Sequence, residues 1–318
     1  MVKIAMADNC HLKFSQDIKE HWEKKGHEVR YEPGASEWLA QWADLYYVDF
    51  SDNNIHYLRD LYNGDPRNCR TPDWDNNKRP TFVCRAIDWD VWIGFARDQT
   101  LVDWVDKWIC IAPHIEKKLR AEAKYRDDQL RLIKPGLDLS KWTLKTNKTD
   151  GFQLGMVLGD MWWPKNHMAG LDIFYQLYQQ DNKWRLHIRG QHEPGEYWPV
   201  MYEYYLESRG IKDVVTLYPQ QDNMNDWYEN IDVLLHPGMK ESFCYAVSEA
   251  AAKDIPCVVN DFYGSHDIWS KEWLYQNHEE AMEKIKLFRL YPPKSRKYIE
   301  ANYSIERMMT EYDDYLGL

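Results

Sequence analysis

The sequence predicts an α/β protein of two domains, each a parallel sheet covered by helices on both faces. Short apolar runs rich in Val, Ile and Leu alternate with helical stretches along the whole chain. Its 318 residues suffice for about two domains of ordinary size. A polar stretch at 141–150 separates one such series from the next, so the domains are expected at 1–140 and 151–302.

In the first series, residues 2–7 read as a strand, 8–12 as a loop and 14–25 as a helix. Gly26 stands where a helix C-terminal cap belongs, a position that favours the left-handed conformation. The next strand starts at His27, and others follow at 45–48, 81–85 and 108–111, with helices near 99–105 and 115–125. The second series runs strand 152–158, helix 168–179, strand 184–189 ending at Gly190, helix 197–209, strand 214–218 and helix 224–230.

The segment 231–267 carries most of the functional information. Residues 231–236 form an apolar run, as a buried parallel strand should. It stops at Pro237-Gly238, where the chain must turn. Glu241 follows in the loop, and eight positions later Glu249 sits inside the helical stretch 245–253; residues 255–259 then return to the sheet. The helix start faces the carboxyl end of the first strand. A phosphate suits that place, because free backbone N–H groups and the helix dipole both favour an anion.

This segment resembles the nucleotide-sugar site of retaining glycosyltransferases of the GT-B fold, the family 4 type. The resemblance rests on Pro237, Gly238, Glu241, Glu249, the helix residues Ala250-Ala251-Ala252 and the strand Pro256-Cys257-Val258-Val259. It covers about 130 residues of the second half well and the first half in outline. Gly26-His27-Glu28-Val29 and Lys134-Pro135-Gly136-Leu137-Asp138 are similar to the opening and the end of the first domain in such enzymes.

The resemblance implies two Rossmann-like domains facing across a cleft, the second holding the donor, with the last helix (about 303–318) packing back on the first. It implies transfer of a sugar from a nucleoside-diphosphate sugar, with UDP or GDP as the nucleotide, to a hydroxyl, with retained anomeric configuration and no bound metal. The backbone near Cys244 and Tyr245 is then expected at the distal phosphate, Glu249 at the ribose and Glu241 at a hydroxyl of the transferred ring. Lys165 is expected opposite the leaving diphosphate, where negative charge develops. Relatives usually carry an arginine five residues earlier, where this chain has Asp160; Arg189 or Lys240 is the candidate substitute. The base is expected near Gly190 and Tyr218-Pro219. Asp88 is the candidate for orienting the acceptor hydroxyl. Asp8, Asn9, Cys10 and His11 stand where relatives usually have a Gly-Gly pair, and Asp8, Asn9 and His11 are further candidates for the phosphates.

Bulk properties narrow the remaining classes. A hydrophobic content of 44% with 15% aromatics is enough to bury a core in each domain, and most of the 16 tryptophans are expected there. Net charge is −11, which argues against broad attraction to nucleic acid or anionic membrane. Six cysteines without a CxxC pair, no apolar run of membrane-span length and no leader before Val2 imply a soluble cytoplasmic protein. A Gly-rich phosphate loop ending Gly-Lys-Ser/Thr, an HExxH and a Gly-x-Ser-x-Gly elbow are all absent. The acidic strings Asp73-Trp74-Asp75 and Asp88-Trp89-Asp90 read as loop acids. The resemblance implies a glycan or small molecule as the acceptor, or else hydroxymethylated DNA, which the basic loop with Arg67, Arg70, Trp74, Lys78 and Arg79 would meet. A binding protein on a degenerate GT-B frame is the non-enzymatic alternative.

Overall fold

Each series folds as a six-stranded, all-parallel sheet. The structure, a computed structural model, describes all residues but 9, 51, 64–78, 88–90, 93, 161–162, 192–196 and 220–222; the side chains of 160, 163, 191 and 197–199 are not described either. Two compact units result, Met1–Pro135 with Glu306–Leu318, and Gly136–Ile305.

The first unit contains β1 (Lys3–Ala7), α1 (Gln16–Lys24), β2 (Glu28–Glu32), α2 (Glu37–Trp42), β3 (Leu45–Asp49) and α3 (Asn53–Asn63). β4 (Thr81–Ala86), α4 (Gln99–Trp104), β5 (Lys107–Cys110), α5 (Pro113–Glu122) and β6 (Leu130–Leu132) complete its sheet, in the order β2-β1-β3-β4-β5-β6. Helix α1 ends as its sequence demands. Gly26 takes φ +85°, its N–H donates to Glu23 O, and the His27 N–H reaches back to Trp22 O. This six-to-one, five-to-two pairing satisfies carbonyls that the helix end would orphan. In the core, Asp49 and Arg85 are buried at neighbouring strand ends and pair through two 2.6 Å hydrogen bonds. Removing one partner of such a pair strands the other charge, at a cost of about 3–5 kcal/mol.

The second unit contains β7 (Gln153–Asp160), α6 (His167–Gln180), β8 (Arg185–Gln191), α7 (Tyr197–Ser208), β9 (Val215–Tyr218), α8 (Met224–Tyr228) and β10 (Val233–His236). Next come α9 (Tyr245–Ala252), β11 (Cys257–Asn260), α10 (Ser265–Ile268), β12 (Leu274–Tyr275), α11 (His278–Leu290) and α12 (Ser295–Asn302). The last helix, α13 (Ile305–Leu316), belongs to the first unit from Glu306 onward. The sheet order β12-β11-β10-β7-β8-β9 reverses direction between β7 and β10. In open parallel sheets a ligand binds outside the carboxyl ends of the strands at such a reversal, because the loops there part to opposite faces. Val233, Leu234 and Leu235 of β10 are fully buried, as expected for a central strand covered on both faces. Trp184, Trp269 and Trp273 are core residues, as are Trp22 and Trp108 of the first unit.

Chain entry to and exit from the second unit lie side by side. Leu137 N donates to Tyr303 O, and a Cβ on Gly136 would stand 2.7 Å from both Ser304 O and Ile305 Cα, so only glycine fits. The polar stretch at 141–150 is not a free connector. Lys145 Nζ bonds Asp232 and Ile231 O, and the Thr146 and Asn147 N–H groups both donate to Glu229 Oε2. Helices α2, α3, α10, α11 and α12 and strands β6 and β12 are not expected from the sequence pattern.

Glu229 also meets the buried Lys253 ammonium at 2.8 Å. Burial alone would raise its carboxyl, but Lys253 and the two backbone donors outweigh it and hold the pKa at about 2, against 4.5 for a free carboxyl. The folded value is the lower one, so this stabilisation is present above about pH 4.5 and is lost as pH falls toward 2. After allowance for partial exposure it amounts to on the order of 2 kcal/mol. Urea unfolding of wild type and Glu229→Gln should show the variant less stable by about that amount at pH 6–7, with the gap closing toward pH 3. A pH-independent gap would sink this account.

Candidate active site

The carboxyl ends of β7 and β10 are adjacent through the pairing of Val233 with Leu154 and Leu234 with Gly155. The loop after β7 carries Lys165 in a single 3₁₀ turn (Trp163–Lys165), and the loop after β10 carries Glu241. Their side chains meet: Lys165 Nζ donates to Glu241 Oε1 at 2.6 Å, with the two groups 25% and 11% exposed. An ion pair this far from bulk water is screened much less than a surface pair.

Two contacts hold the two loops in register and a third ties the second loop to the end of β11. Met239 N donates to Pro164 O at 2.8 Å, Asn166 Nδ2 to Pro237 O at 3.2 Å, and Asn260 Nδ2 to Gly238 O at 3.1 Å. Asn166 supports this from a left-handed backbone (φ 50°), which asparagine tolerates. Beneath the loop, the β10-terminal His236 is 3% exposed. Its Nδ1 lies 3.5 Å from Cys244 Sγ and its Nε2 3.4 Å from Glu241 Oε1. Burial, with Lys165 as a lesser cause, lowers its pKa to about 3, so the imidazole is neutral. Burial, followed by the Glu241 carboxylate, pushes the Cys244 thiol up.

Cys244 is the N-cap of α9 and takes φ 70°, ψ 82°, with no side chain capping the helix. A cysteine in that region stores about 1–3 kcal/mol, and such strain clusters at functional sites. The positive end of the helix dipole lies at the start of α9, so this end of the helix favours an anion. One turn on, Glu249 is held by the buried Tyr228, whose hydroxyl lies 3.0 Å from both Glu249 Oε2 and Ala246 O.

Lys165, Glu241 and Cys244 thus come together, with Tyr245 opening the same helix and Glu249 anchored on it. Gly190 and Tyr218 end up at the carboxyl ends of β8 and β9, further along the sheet. The Tyr218 hydroxyl is engaged with His187 Nδ1 at 2.9 Å, and His187 Nε2 faces Gln153 Oε1 at 2.8 Å. Arg189 is buried within β8. Lys240 is half-buried in the Glu241 loop. Asp88 and Asn9 lie outside the described residues, as do Asp73, Trp74, Asp75, Asp90, Arg67, Arg70 and Lys78; so does the side chain of Asp160. Asp8 folds back on its own loop, accepting from the Cys10 and Leu12 N–H groups and from the Ser15 hydroxyl. His11 is exposed beside it in the left-handed region. Arg79 is committed to Asp106 and Trp104 O and stacks over Phe82.

The sequence reading missed His236, Asn166, Asn260 and Tyr228 as parts of this arrangement. A histidine ending an apolar strand just before Pro-Gly was a usable signal for the first; nothing local marked the others. A cavity of about 330 Å³ lined by Lys145, Asp232, Lys253 and Arg289 opens at the amino ends of the same strands. Its lysines already bond Asp232 and Glu229, so it belongs to the packing of 141–150.

Comparison with known proteins follows the same geometry. The sucrose-phosphate synthase (tll1590) of Thermosynechococcus elongatus superposes with a TM-score of 0.73 at 14% identity, over 99% of this chain and 98% of that one. Anabaena Alr3699/HepE, in complex with UDP and glucose, superposes with a TM-score of 0.70 at 13% identity over the whole of both chains. These likenesses are of fold, and the fold is GT-B. A 94-residue segment is 28% identical to Protein CapJ of Staphylococcus aureus; it spans 30% of this chain and 22% of that protein. Residues 145–304, half of the chain and the whole of the site described above, match the glycosyl transferases group 1, and the chain belongs to that family.

Proposed function

We propose that this protein is a retaining glycosyltransferase that moves a sugar from a nucleoside-diphosphate sugar to a hydroxyl acceptor, without a metal in the reaction. The observation that carries the reading is the Lys165–Glu241 ion pair at the sheet's reversal, beside the N-terminus of α9. It joins a cation for a diphosphate to an acceptor for a sugar hydroxyl, next to backbone donors suited to phosphate. Family membership and the UDP and UDP-glucose complexes of Alr3699/HepE support a nucleotide-sugar donor, and favour uridine.

The donor lies along the carboxyl edge of the second unit. The distal phosphate meets the N–H groups at Cys244 and Tyr245, and Glu249 accepts from the ribose hydroxyls. Lys165 has three N–H donors, so it reaches a phosphate oxygen while keeping Glu241. Glu241 accepts from a hydroxyl of the transferred ring. As the bond from the anomeric carbon to phosphate breaks, Lys165 and the helix start neutralise the departing charge, a contribution that grows in the transition state. The acceptor oxygen attacks the same face, and its proton passes to the leaving phosphate oxygen. Asp88 is the proposed group for orienting that hydroxyl, Gly190 and Tyr218 line the approach of the base, and Arg189 or Lys240 is the proposed second cation for the diphosphate. The acceptor is a glycan or small-molecule hydroxyl. The duplex DNA alternative gains nothing, since Arg79, the one described arginine of the basic loop, is bound to Asp106.

Among the described residues no helix is long and apolar enough to cross a membrane. Cys10, Cys110, Cys244 and Cys257 are free thiols, which fits the reducing cytoplasm.

Thermal shift against UDP-, GDP-, ADP- and CMP-sugars tests the donor. A ligand that binds the native state raises Tm by mass action, and one selective shift, expected for a UDP-sugar, identifies it. No shift with any nucleotide sugar would instead favour the binding-protein alternative. Glu241→Ala should fold and lose roughly 10²–10³ in turnover, the scale of one directed transition-state contact; near-normal turnover would remove Glu241 from the mechanism. Glu249→Ala should weaken donor affinity by roughly 10–100-fold through loss of hydrogen bonds to a charged group. Tyr228→Phe should raise KM for the donor with little change in kcat. Calorimetry and steady-state kinetics read both, and unchanged donor affinity in Glu249→Ala would refute the ribose assignment.

A further inference from the structure

We propose that His236, Glu241 and Cys244 form a binding site for a thiophilic divalent cation, zinc foremost. One imidazole nitrogen, one carboxylate oxygen and the Cys244 sulfur lie within 4.8 Å of one another. Nitrogen, oxygen and sulfur donors together suit zinc and its softer neighbours rather than magnesium or calcium, which take oxygen. Two further observations point to an occupant. His236 is 3% exposed, and its Nε2 makes no hydrogen bond among the described residues, although it faces Glu241 Oε1 at 3.4 Å. Gly238 keeps the space beside these two atoms open. A Cβ there would stand 2.7 Å from His236 Nε2 and 3.4 Å from Glu241 Oε1.

Zinc bonds of about 2.0–2.3 Å set ligand atoms about 3.3–3.8 Å apart, a spacing that His236 Nε2 and Glu241 Oε1 already have at 3.4 Å, while Cys244 Sγ lies 3.5 Å from the other ring nitrogen, Nδ1. The sulfur then swings from the Nδ1 side toward Nε2 by rotation of the Cys244 side chain, a move that leaves the N-cap carbonyl of Cys244 bonded to the Val247 N–H. As the ion binds, the Cys244 S–H bond breaks, its proton leaves to solvent and the sulfur lone pair takes the metal. One thiolate and one carboxylate balance the dication, and a neutral imidazole and a water complete four ligands. Glu241 Oε1 is the atom that Lys165 now holds, so loading displaces that ammonium. In the reading above the same carboxylate serves the donor, so an ion here opposes donor binding.

The test is metal binding alone, so its failure leaves the donor reading untouched. Zinc is titrated into the metal-free protein against a chromophoric chelator, and cobalt is added as a spectroscopic substitute. Wild type should bind one equivalent, and the cobalt form should show a sulfur-to-metal charge-transfer band. Affinity should fall at least tenfold in Cys244→Ser and in Gly238→Ala, and rise in Lys165→Gln, where the competing cation is gone. Equal affinity in Cys244→Ser, or a cobalt spectrum without the sulfur band, would overturn the proposal. Should the variants fail to fold, alkylation of wild type mapped by mass spectrometry decides: zinc must protect Cys244, and an unprotected Cys244 overturns it as well.

Discussion

One ion pair concentrates the logic of the second unit. Lys165 and Glu241 are 76 positions apart in sequence and 2.6 Å apart in space, because β7 and β10 are neighbours where the strand order reverses. The reversal sends the following helices to opposite faces and leaves the two loops facing each other over the strand ends. Opposite charges in these loops then bring each other partly out of water, and each supplies what the other lacks. Without the pairing of β7 with β10 the two residues would not meet.

Rigidity around that pair comes from the backbone. Met239 to Pro164, Asn166 to Pro237 and Asn260 to Gly238 cross between three strand ends, so the Glu241 loop is fixed from both sides. Glycine at 238 permits the chain to pass over His236, and Cys244 absorbs left-handed strain where α9 begins. Groups held this way need little reorganisation when charge develops nearby, which is the condition for electrostatic stabilisation. Tyr228 extends the same principle to Glu249 by fixing its Oε2 on the helix that starts at the site.

The first unit spends its polar residues on itself. Asp8 caps its own loop through three donors, and Asp49 with Arg85 forms a buried bidentate pair whose arginine also donates to Phe14 O. Both lie at carboxyl strand ends, where ligands bind in such sheets, yet their hydrogen bonds are taken up internally. Asp8 was legible as a polar residue in a telling place, but its role depended on donors at Cys10, Leu12 and Ser15 that only the folded loop brings to it.

The alternation of apolar runs and helical stretches determined the α/β class, and nearly every strand of both sheets falls within a residue or two of where it is expected. Local chemistry sufficed there, because a buried parallel strand must be apolar and a helix end such as Gly26 must turn left-handed. The helix at 278–290 went unmarked although Asn277 and Glu280 carry a capping signature, and the Asn277 side chain does accept from the Glu280 N–H. The spacing of Glu241 and Glu249 around a strand–loop–helix was likewise readable, since both belong to one contiguous segment. Which cation met Glu241 was decided by strand order, and which tyrosine held Glu249 by the packing of the segments on either side of β10. The first contact joins residues 76 positions apart and the second residues 21 apart, which no local pattern relates; the pairing of β7 with β10 makes the first pair neighbours and the packing around β10 the second.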